Sequence, residues 1–132
     1  MFKVIKKLFS KDDEETLNLG LPEKENLTFI LKVNDIELGI LKCENGEWVF
    51  QYTQEFINHQ KEYNYIIGFP DLNKTYRSEN LWPFFRIRIP GLKQASVQEI
   101  IKSENIDQEN EAQLLKRFGR KTIANPYELL PA

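Results

Sequence analysis

Cysteine and histidine are almost absent from this chain of 132 residues, which contains one of each, Cys43 and His59. A single cysteine excludes an intramolecular disulfide, a CxxC redox pair and a thiolate cage for a metal ion. Cys43 lies within a predicted strand, where a packed thiol is the simplest interpretation. His59 lies in a polar stretch without a catalytic motif, so we interpret it as an exposed structural residue.

The sequence also lacks long apolar runs and glycine-rich phosphate loops. No segment approaches the roughly 20 apolar residues that cross a bilayer, so a membrane span is not expected. Gly119-Arg120-Lys121-Thr122 lacks the upstream glycine of a Walker sequence. Paired carboxylates such as Glu109 and Glu111 fall on solvated positions, which gives acid–base catalysis no support. We therefore predict that the protein is not an enzyme and uses no metal and no cofactor.

A strong charge of either sign is missing as well. The net charge is −2, and apolar and charged residues make up 41% and 29% of the chain, as in ordinary soluble proteins. This balance gives no overall case for direct nucleic-acid binding, and the scarcity of cysteine fits the cytoplasm. One basic cluster is a weak candidate for phosphate contacts, which would make the protein a nucleic-acid-associated module, although helix-end charge is our first interpretation. Its members are Arg86, Arg88, Lys116, Arg117, Arg120 and Lys121.

The chain divides into three parts by composition. Residues 1–26 form an amphipathic segment followed by a charged linker, residues 27–122 form the folded domain, and residues 123–132 form an extended tail. Apolar side chains at positions 2, 5, 8 and 9 share one helical face. This first segment is interpreted as a terminal helix that docks on its own domain or a neighbour. The alternative is an interfacial helix that tethers an interaction module to a membrane.

Alternating apolar residues predict an antiparallel meander at the start of the domain. Leu27 to Val33 alternates, and Asn34-Asp35 suits a tight hairpin turn. The return strand then places three apolar residues opposite Val33, Leu31 and Phe29. These three are Ile36, Leu38 and Ile40. A fourth strand is predicted from Tyr65 to Phe69, and a short extended piece at Thr75-Tyr76.

A second turn, at Glu44-Asn45-Gly46, allows two registers. A two-residue Asn-Gly loop would split the apolar faces of the two strands. A three-residue loop pairs Ile40 with Phe50 and Leu38 with Tyr52, and it keeps one continuous apolar face. We predict the three-residue loop. In the strand that follows this turn, we expect three aromatic residues to face the core of the domain: Trp48, Phe50 and Tyr52.

Residues 81–89 fit two patterns equally well. Every second residue from Phe85 to Ile89 is apolar, as in a strand, whereas Trp82, Phe85 and Ile89 also fit one face of a helix. Pro83 suits the first turn of such a helix. Strand and helix both remain open for this segment.

After Pro90 the sequence predicts helices more clearly than it does for residues 81–89. Ser96 and Glu99 have the spacing of a capping box, and Asp107 is placed to cap a second helix that ends at Gly119. Residues 53–63 are either a short helix or a loop. Together these patterns predict an α+β domain, with a small, largely antiparallel sheet of three to four strands or more and about three short helices.

The order of these segments resembles the N-terminal domain of HipA-type serine/threonine kinases, the toxin components of bacterial toxin–antitoxin systems. The resemblance covers roughly residues 36–119. It closes with the helix from Asp107 to Gly119, where the family has an acidic start, a Leu-Leu pair and a glycine. The matching segments before that helix are Leu38-Gly39-Ile40-Leu41, Gly46-Glu47-Trp48-Val49-Phe50-Gln51-Tyr52, Phe69-Pro70, Leu81-Trp82-Pro83-Phe84-Phe85 and Ile89-Pro90-Gly91.

The sequence departs from the family pattern at the turn around Pro90, where the arginine that often follows is also missing, and after Gly119, where the Gly-Ala pair of the family is missing. It also lacks the motifs of a kinase core. The family usually reads Leu-Pro-Glu-Gly where this chain has Ile89-Pro90-Gly91-Leu92. The chain contains no catalytic aspartate loop and no metal-binding aspartate motif, so the resemblance does not imply kinase activity. It implies a stand-alone regulatory subunit, an antitoxin or modulator, that binds a HipA-like kinase. A helix-turn-helix antitoxin is a second partner that the resemblance suggests.

The proline-flanked aromatic segment supplies the candidate contact residues for such a partner. An aromatic residue presented from the start of a helix is a good anchor for a pocket on another protein. The competing interpretation places all of these side chains in the core of the domain, and Trp82 is the one expected to be most exposed. The candidates are Leu81, Trp82, Phe84 and Phe85.

Overall fold

Five strands form one antiparallel sheet in the computed structural model, which describes residues 26–59 and 65–132. The order across the sheet is β4-β3-β2-β1-β5, so the last strand lies beside the first. Within residues 123–132, predicted to be an extended tail, the strand β5 is hydrogen-bonded to β1. The strands are β1 (Leu27–Val33), β2 (Ile36–Glu44), β3 (Glu47–Tyr52), β4 (Tyr76–Ser78) and β5 (Glu128–Pro131).

Four helices accompany this sheet in the described part of the chain, which confirms the predicted α+β class. The ambiguous segment 81–89 contains a short helix with Pro83 at its first position. The prediction for residues 1–25, and part of that for residues 53–63, lies outside the described residues. The helices are α1 (Gln54–Asn58), α2 (Pro83–Arg86), α3 (Ala95–Ser103) and α4 (Glu111–Phe118).

The first hairpin has the predicted turn but a different pairing further along. Val33 faces Ile36 across the turn, as predicted. Beyond it the register shifts by one residue, so that Leu31 faces Gly39 instead of Leu38. Leu38 is thus the extra residue of a β-bulge, and its side chain is fully buried.

This bulge makes the predicted register of the second hairpin wrong. Ile40 pairs with Gln51, and Phe50 pairs with Leu41. The bulge at Leu38 turns the following residues of β2 over, so Leu41 points to the core while Ile40 lies on the other face of the sheet. The two strands therefore keep one continuous apolar face with the shorter loop.

The turn between β2 and β3 has the geometry that a two-residue hairpin loop requires. Asn45 and Gly46 both adopt positive φ, 52° and 81°. This matches the backbone twist of a type I′ turn, for which Asn-Gly is the preferred pair. Tyr52 accordingly pairs with Gly39 and not, as predicted, with Leu38.

The segment predicted as a fourth strand is a turn, so that prediction was wrong. The backbone N–H of Phe69 donates to the Ile66 carbonyl (2.9 Å), and Gly68 has φ +99°. Ile66 and Phe69 are buried while Ile67 is exposed. The Tyr52 hydroxyl closes this turn by bonding to both of its ends, which an extended strand would not allow.

Neither of the two predicted helix caps is formed. Helix α3 begins at Ala95, which places Ser96 inside the first turn, and no side chain caps this helix. In α4 the cap is Asn110, whose side-chain oxygen accepts a hydrogen bond from the Gln113 N–H (3.1 Å). Asp107 lies earlier and accepts from the backbone two residues further on. Both predicted caps were therefore wrong, because each polar residue lies out of step with the true helix start.

The end of α4 follows the prediction, and the charges along the helix favour its direction. Glu111 lies in the first turn, and Lys116 and Arg117 lie in the last, which complements the helix dipole. The helix ends at Phe118, before Gly119. Glycine is needed there for space, since a Cβ atom at Gly119 would lie 2.5 Å from the Leu115 carbonyl oxygen.

The core lies between one face of the sheet and the helices. A smaller second cluster joins α3 to α4 and consists of Val97, Ile101 and Leu114. The main cluster contains five large, fully buried aromatic side chains. They are Phe29, Phe50, Phe56, Phe69 and Phe85.

Candidate partner-binding surface

The four predicted contact residues divide into two buried and two accessible side chains. Leu81 and Phe85 are 1% and 0% exposed, so they belong to the core and offer no accessible surface. Trp82 and Phe84 are half-buried and pack against that core with part of each ring. The split follows from the geometry of α2, in which Phe85 points inward and its neighbours flank it.

Phe69 is the residue on which the α2 aromatics are packed. Its ring centroid lies 5.2 Å from that of Trp82 and 6.0 Å from that of Phe85, and 6.4 Å from that of Phe84. The Trp82 and Phe84 rings meet Phe69 edge-on, the arrangement that aromatic quadrupoles favour. Phe50 of β3 lies 4.7 Å below Phe69. The two accessible aromatics are thus supported from beneath by the sheet.

The turn that carries Phe69 is attached to β3 through Tyr52. The Tyr52 hydroxyl donates to the Phe69 carbonyl (2.6 Å) and accepts from the Ile66 N–H (2.9 Å). Burial of this hydroxyl raises the pKa of Tyr52 from 10.0 to about 12, because the phenolate would lose its hydration. The hydroxyl therefore stays protonated and keeps donating at any physiological pH.

The exposed apolar residues of the described chain lie on segments that flank α2. Ile67 is on the Phe69 turn, and Ile87 follows α2 directly. Ile123 lies in the turn after α4 that bonds to Arg88. The sequence analysis did not identify these residues, and only Ile67, which precedes the turn residue Gly68, carries a local signal that could have identified it. The large hydrophobic side chains that are exposed are Tyr65, Ile67, Ile87 and Ile123.

Arg88, one of the weak candidates for phosphate contact, is buried and only 3% exposed. Its guanidinium donates to backbone and side-chain oxygens of residues 119–127. Burial lowers the pKa of Arg88 to about 10, which leaves it charged at neutral pH. Arg88 is therefore occupied within the domain and cannot reach a phosphate group of a ligand.

Three other members of the basic cluster are paired with carboxylates. Lys116 and Lys121 are exposed. The hydrogen bond from Arg117 holds the pKa of Glu104 below its usual value. These pairs neutralise much of the cluster, which weakens the case for a nucleic-acid surface. The pairs are Arg86 with Glu111 (Nε to Oε2, 3.6 Å), Arg117 with Glu104 (Nε to Oε1, 2.8 Å) and Arg120 with Glu128 (Nε to Oε2, 3.1 Å).

His59 and Cys43 were considered above for catalysis or metal binding, and both lie in positions explained by the fold. The Nδ1 atom of His59 lies 2.9 Å from the carbonyl oxygen of Glu55, one turn earlier in α1. Cys43 is buried in the sheet. In residues 26–59 and 65–132, no group of three or more His, Cys, Asp or Glu side chains could hold a metal ion. Among the helices described, none is both long and apolar enough to cross a membrane.

Comparison with known proteins assigns a family to this arrangement. No curated protein matches the chain. The family model described as the HipA N-terminal domain matches residues 30–124. The matched region includes the α2 segment, the Phe69 turn and most of the sheet. Because the match spans most of the sequence, the chain belongs to the HipA N-terminal domain family.

Proposed function

We propose that this protein is a non-catalytic subunit that binds a HipA-like serine/threonine kinase and regulates it as an antitoxin or modulator. The observation that carries the proposal is the half-buried pair Trp82 and Phe84 on the start of α2. The family match covers a HipA N-terminal domain and no kinase core, which fits a regulatory subunit. Such a subunit acts in the cytoplasm of a bacterium, within a toxin–antitoxin system.

Trp82 is well suited to be the anchor of this contact. Large aromatic residues supply much of the energy at protein interfaces, and they do so best when they are held rigid before binding. The Trp82 carbonyl accepts from the N–H groups of Phe85 (3.0 Å) and Arg86 (2.9 Å), which fixes its backbone. Its ring lies against Phe69. Little conformational freedom of Trp82 is therefore left to lose on binding.

Phe84 extends the same surface towards the C-terminal strand. Its ring centroid lies 5.1 Å from that of Phe85 and 6.0 Å from that of Tyr127. The proposed partner contacts Phe84 and the edge of Tyr127 as well as Trp82. A helix-turn-helix antitoxin is proposed as a further member of the same complex, by membership of the family.

The experiment measures binding of the full chain to a purified HipA-family kinase chain from the same genome by titration calorimetry. We expect Trp82→Ala to weaken binding by about 30-fold or more, as for an interface hot spot. It should also reduce the effect of the chain on kinase autophosphorylation. The matched control is Phe118→Ala, since Phe118 is a half-buried aromatic that packs on the second cluster.

Two results would contradict the proposal. The first is a wild-type chain that binds no HipA-family kinase chain. The second is a folded Trp82→Ala variant whose affinity equals that of the wild type. The melting temperature of each variant, measured beside the titration, shows that the fold is retained.

A further inference from the structure

Arg88 is a buried cation that joins two distant parts of the chain. It follows α2, and its two terminal nitrogens donate four hydrogen bonds to acceptors that lie 31 to 39 residues later. Arg88 thus ties the end of α2 to the segment between α4 and β5. The acceptors are the carbonyl oxygens of Gly119 (3.0 Å), Arg120 (3.2 Å) and Tyr127 (3.0 Å) and the Asn125 side-chain oxygen (3.1 Å).

The chemistry of this site indicates a role beyond filling space. None of the four acceptors carries a full negative charge, and the Arg88 Nε has no hydrogen-bond partner among the described residues. Burying a guanidinium without a carboxylate has a large solvation cost, and an apolar side chain of similar volume would avoid that cost. The fork of donors, however, can hold several carbonyls at once, which no apolar residue can do.

The segment that Arg88 holds carries an exposed isoleucine. Thr122 and Asn125 form an isolated bridge, with Ile123 in the turn between them. The Asn125 oxygen that binds Arg88 also accepts from the Tyr127 N–H (3.1 Å), so the guanidinium holds the Asn125 end of the turn. Ile123 itself is fully exposed.

We infer that Arg88 is a positioning residue that holds the Thr122–Asn125 turn in place relative to α2, so that Ile123 contacts the same partner as Trp82. This inference rests on the proposed function, because the partner is the HipA-like kinase. It adds a second contact and the residue that places it. Tyr127 joins this turn to the aromatic pair, since its N–H donates to Asn125 and its ring packs on Phe84.

The first test uses hydrogen exchange on the full, unbound chain. Lysine keeps the charge of Arg88 but cannot reach four acceptors at once, so Arg88→Lys should speed exchange of the amides in residues 122–127. Amides of β2 and β3 should be unaffected. The control is Arg117→Lys, which changes an exposed ion pair. Unchanged exchange in residues 122–127 of the Arg88→Lys chain would show that Arg88 does not hold the turn.

The second test is a double-mutant cycle on affinity for the purified HipA-family kinase chain. Ile123→Ser should weaken binding by about tenfold, and Arg88→Lys should do the same. If Arg88 acts by placing Ile123, the double variant binds no more weakly than Ile123→Ser alone. Additive losses would overturn the positioning role, and an Ile123→Ser chain with wild-type affinity would overturn the contact.

Both tests can still be interpreted if Arg88→Lys does not fold or if no kinase chain is bound. If Arg88→Lys does not fold, Asn125→Ala replaces it in both tests, because it removes an acceptor from the turn and leaves Arg88 in place. If the wild-type chain binds no kinase chain, the proposed function and the Ile123 contact both fail. The exchange measurement still decides, in that case, whether Arg88 holds the turn.

Discussion

The Tyr52 hydroxyl donates a 2.6 Å hydrogen bond to the Phe69 carbonyl, and the Phe69 ring in turn supports Trp82. A residue of the central sheet is thereby connected to the candidate partner surface through one turn. The same hydroxyl accepts from Ile66, so both ends of the turn depend on it. This relationship makes Tyr52 the structural base of the surface.

Removal of the Tyr52 hydroxyl should destabilise the domain. Tyr52→Phe leaves the buried Ile66 N–H and the Phe69 carbonyl without their partner, and we expect a loss of about 1–3 kcal/mol in the free energy of unfolding. Urea denaturation at neutral pH measures it. Tyr127→Phe is the control, since the Tyr127 hydroxyl makes no hydrogen bond among the described residues. Equal losses of unfolding free energy in the two variants would contradict the role assigned to the Tyr52 hydroxyl.

The stability of the domain should fall at alkaline pH through Tyr52. Its pKa is 10.0 when unfolded and about 12 when folded, so its contribution is complete below pH 10 and is lost as pH rises towards 12. By pH 11 the wild type should have lost about 1 kcal/mol relative to Tyr52→Phe, compared with pH 8. Urea denaturation of both chains at these pH values gives the difference. Parallel pH profiles would contradict the assignment.

Gly39 should tolerate no side chain, because the Phe50 ring lies over it. A Cβ atom at Gly39 would come within 2.6 Å of two carbons of that ring, which is fixed in the core. We expect Gly39→Ala to cost about 1–3 kcal/mol of unfolding free energy, as for overpacked cores. Gly91→Ala is the control, since its Cβ would meet only the flexible end of Gln94 at 3.2 Å. Thermal denaturation should give a lower melting temperature for Gly39→Ala than for Gly91→Ala.

The observed helix caps predict different costs for two polar residues. Asn110→Ala removes the bond to the Gln113 N–H and should cost about 1 kcal/mol. Ser96→Ala removes no cap of α3, and because alanine favours helices its effect should stay within about 0.5 kcal/mol. Chemical denaturation of the two variants decides between the observed caps and the capping box. A larger cost at Ser96 would favour the box.

The local patterns predicted several elements because the forces that shape those elements are local. Pro83 begins α2, which agrees with the helical one of the two alternatives left open for residues 81–89, and the charge order of Glu111 to Arg117 agrees with the direction of α4. The Asn34 turn and the pairing of Val33 with Ile36 follow from turn chemistry in the same way. The ordered motifs also placed the chain in its family.

Two of the errors, in the strand register and in the Tyr65–Phe69 segment, arose where contacts with other segments decided the conformation. Alternation in β2 is the same with or without a bulge at Leu38, so the register of the second hairpin could not be read from it. The apolar run from Tyr65 to Phe69 looks like a strand because periodicity contains no information about the Tyr52 hydroxyl that closes it as a turn.

The sequence by itself determined the class of fold, the family and the segment in which the candidate surface lies. Only the tertiary structure separated Trp82 and Phe84 from Leu81 and Phe85, because accessibility depends on which face of a one-turn helix meets the Phe69 ring. Only the tertiary structure placed Arg88 against the turn of Ile123. Composition and spacing record local preference, whereas burial and long-range hydrogen bonds are set by the packing of segments that are far apart in the chain.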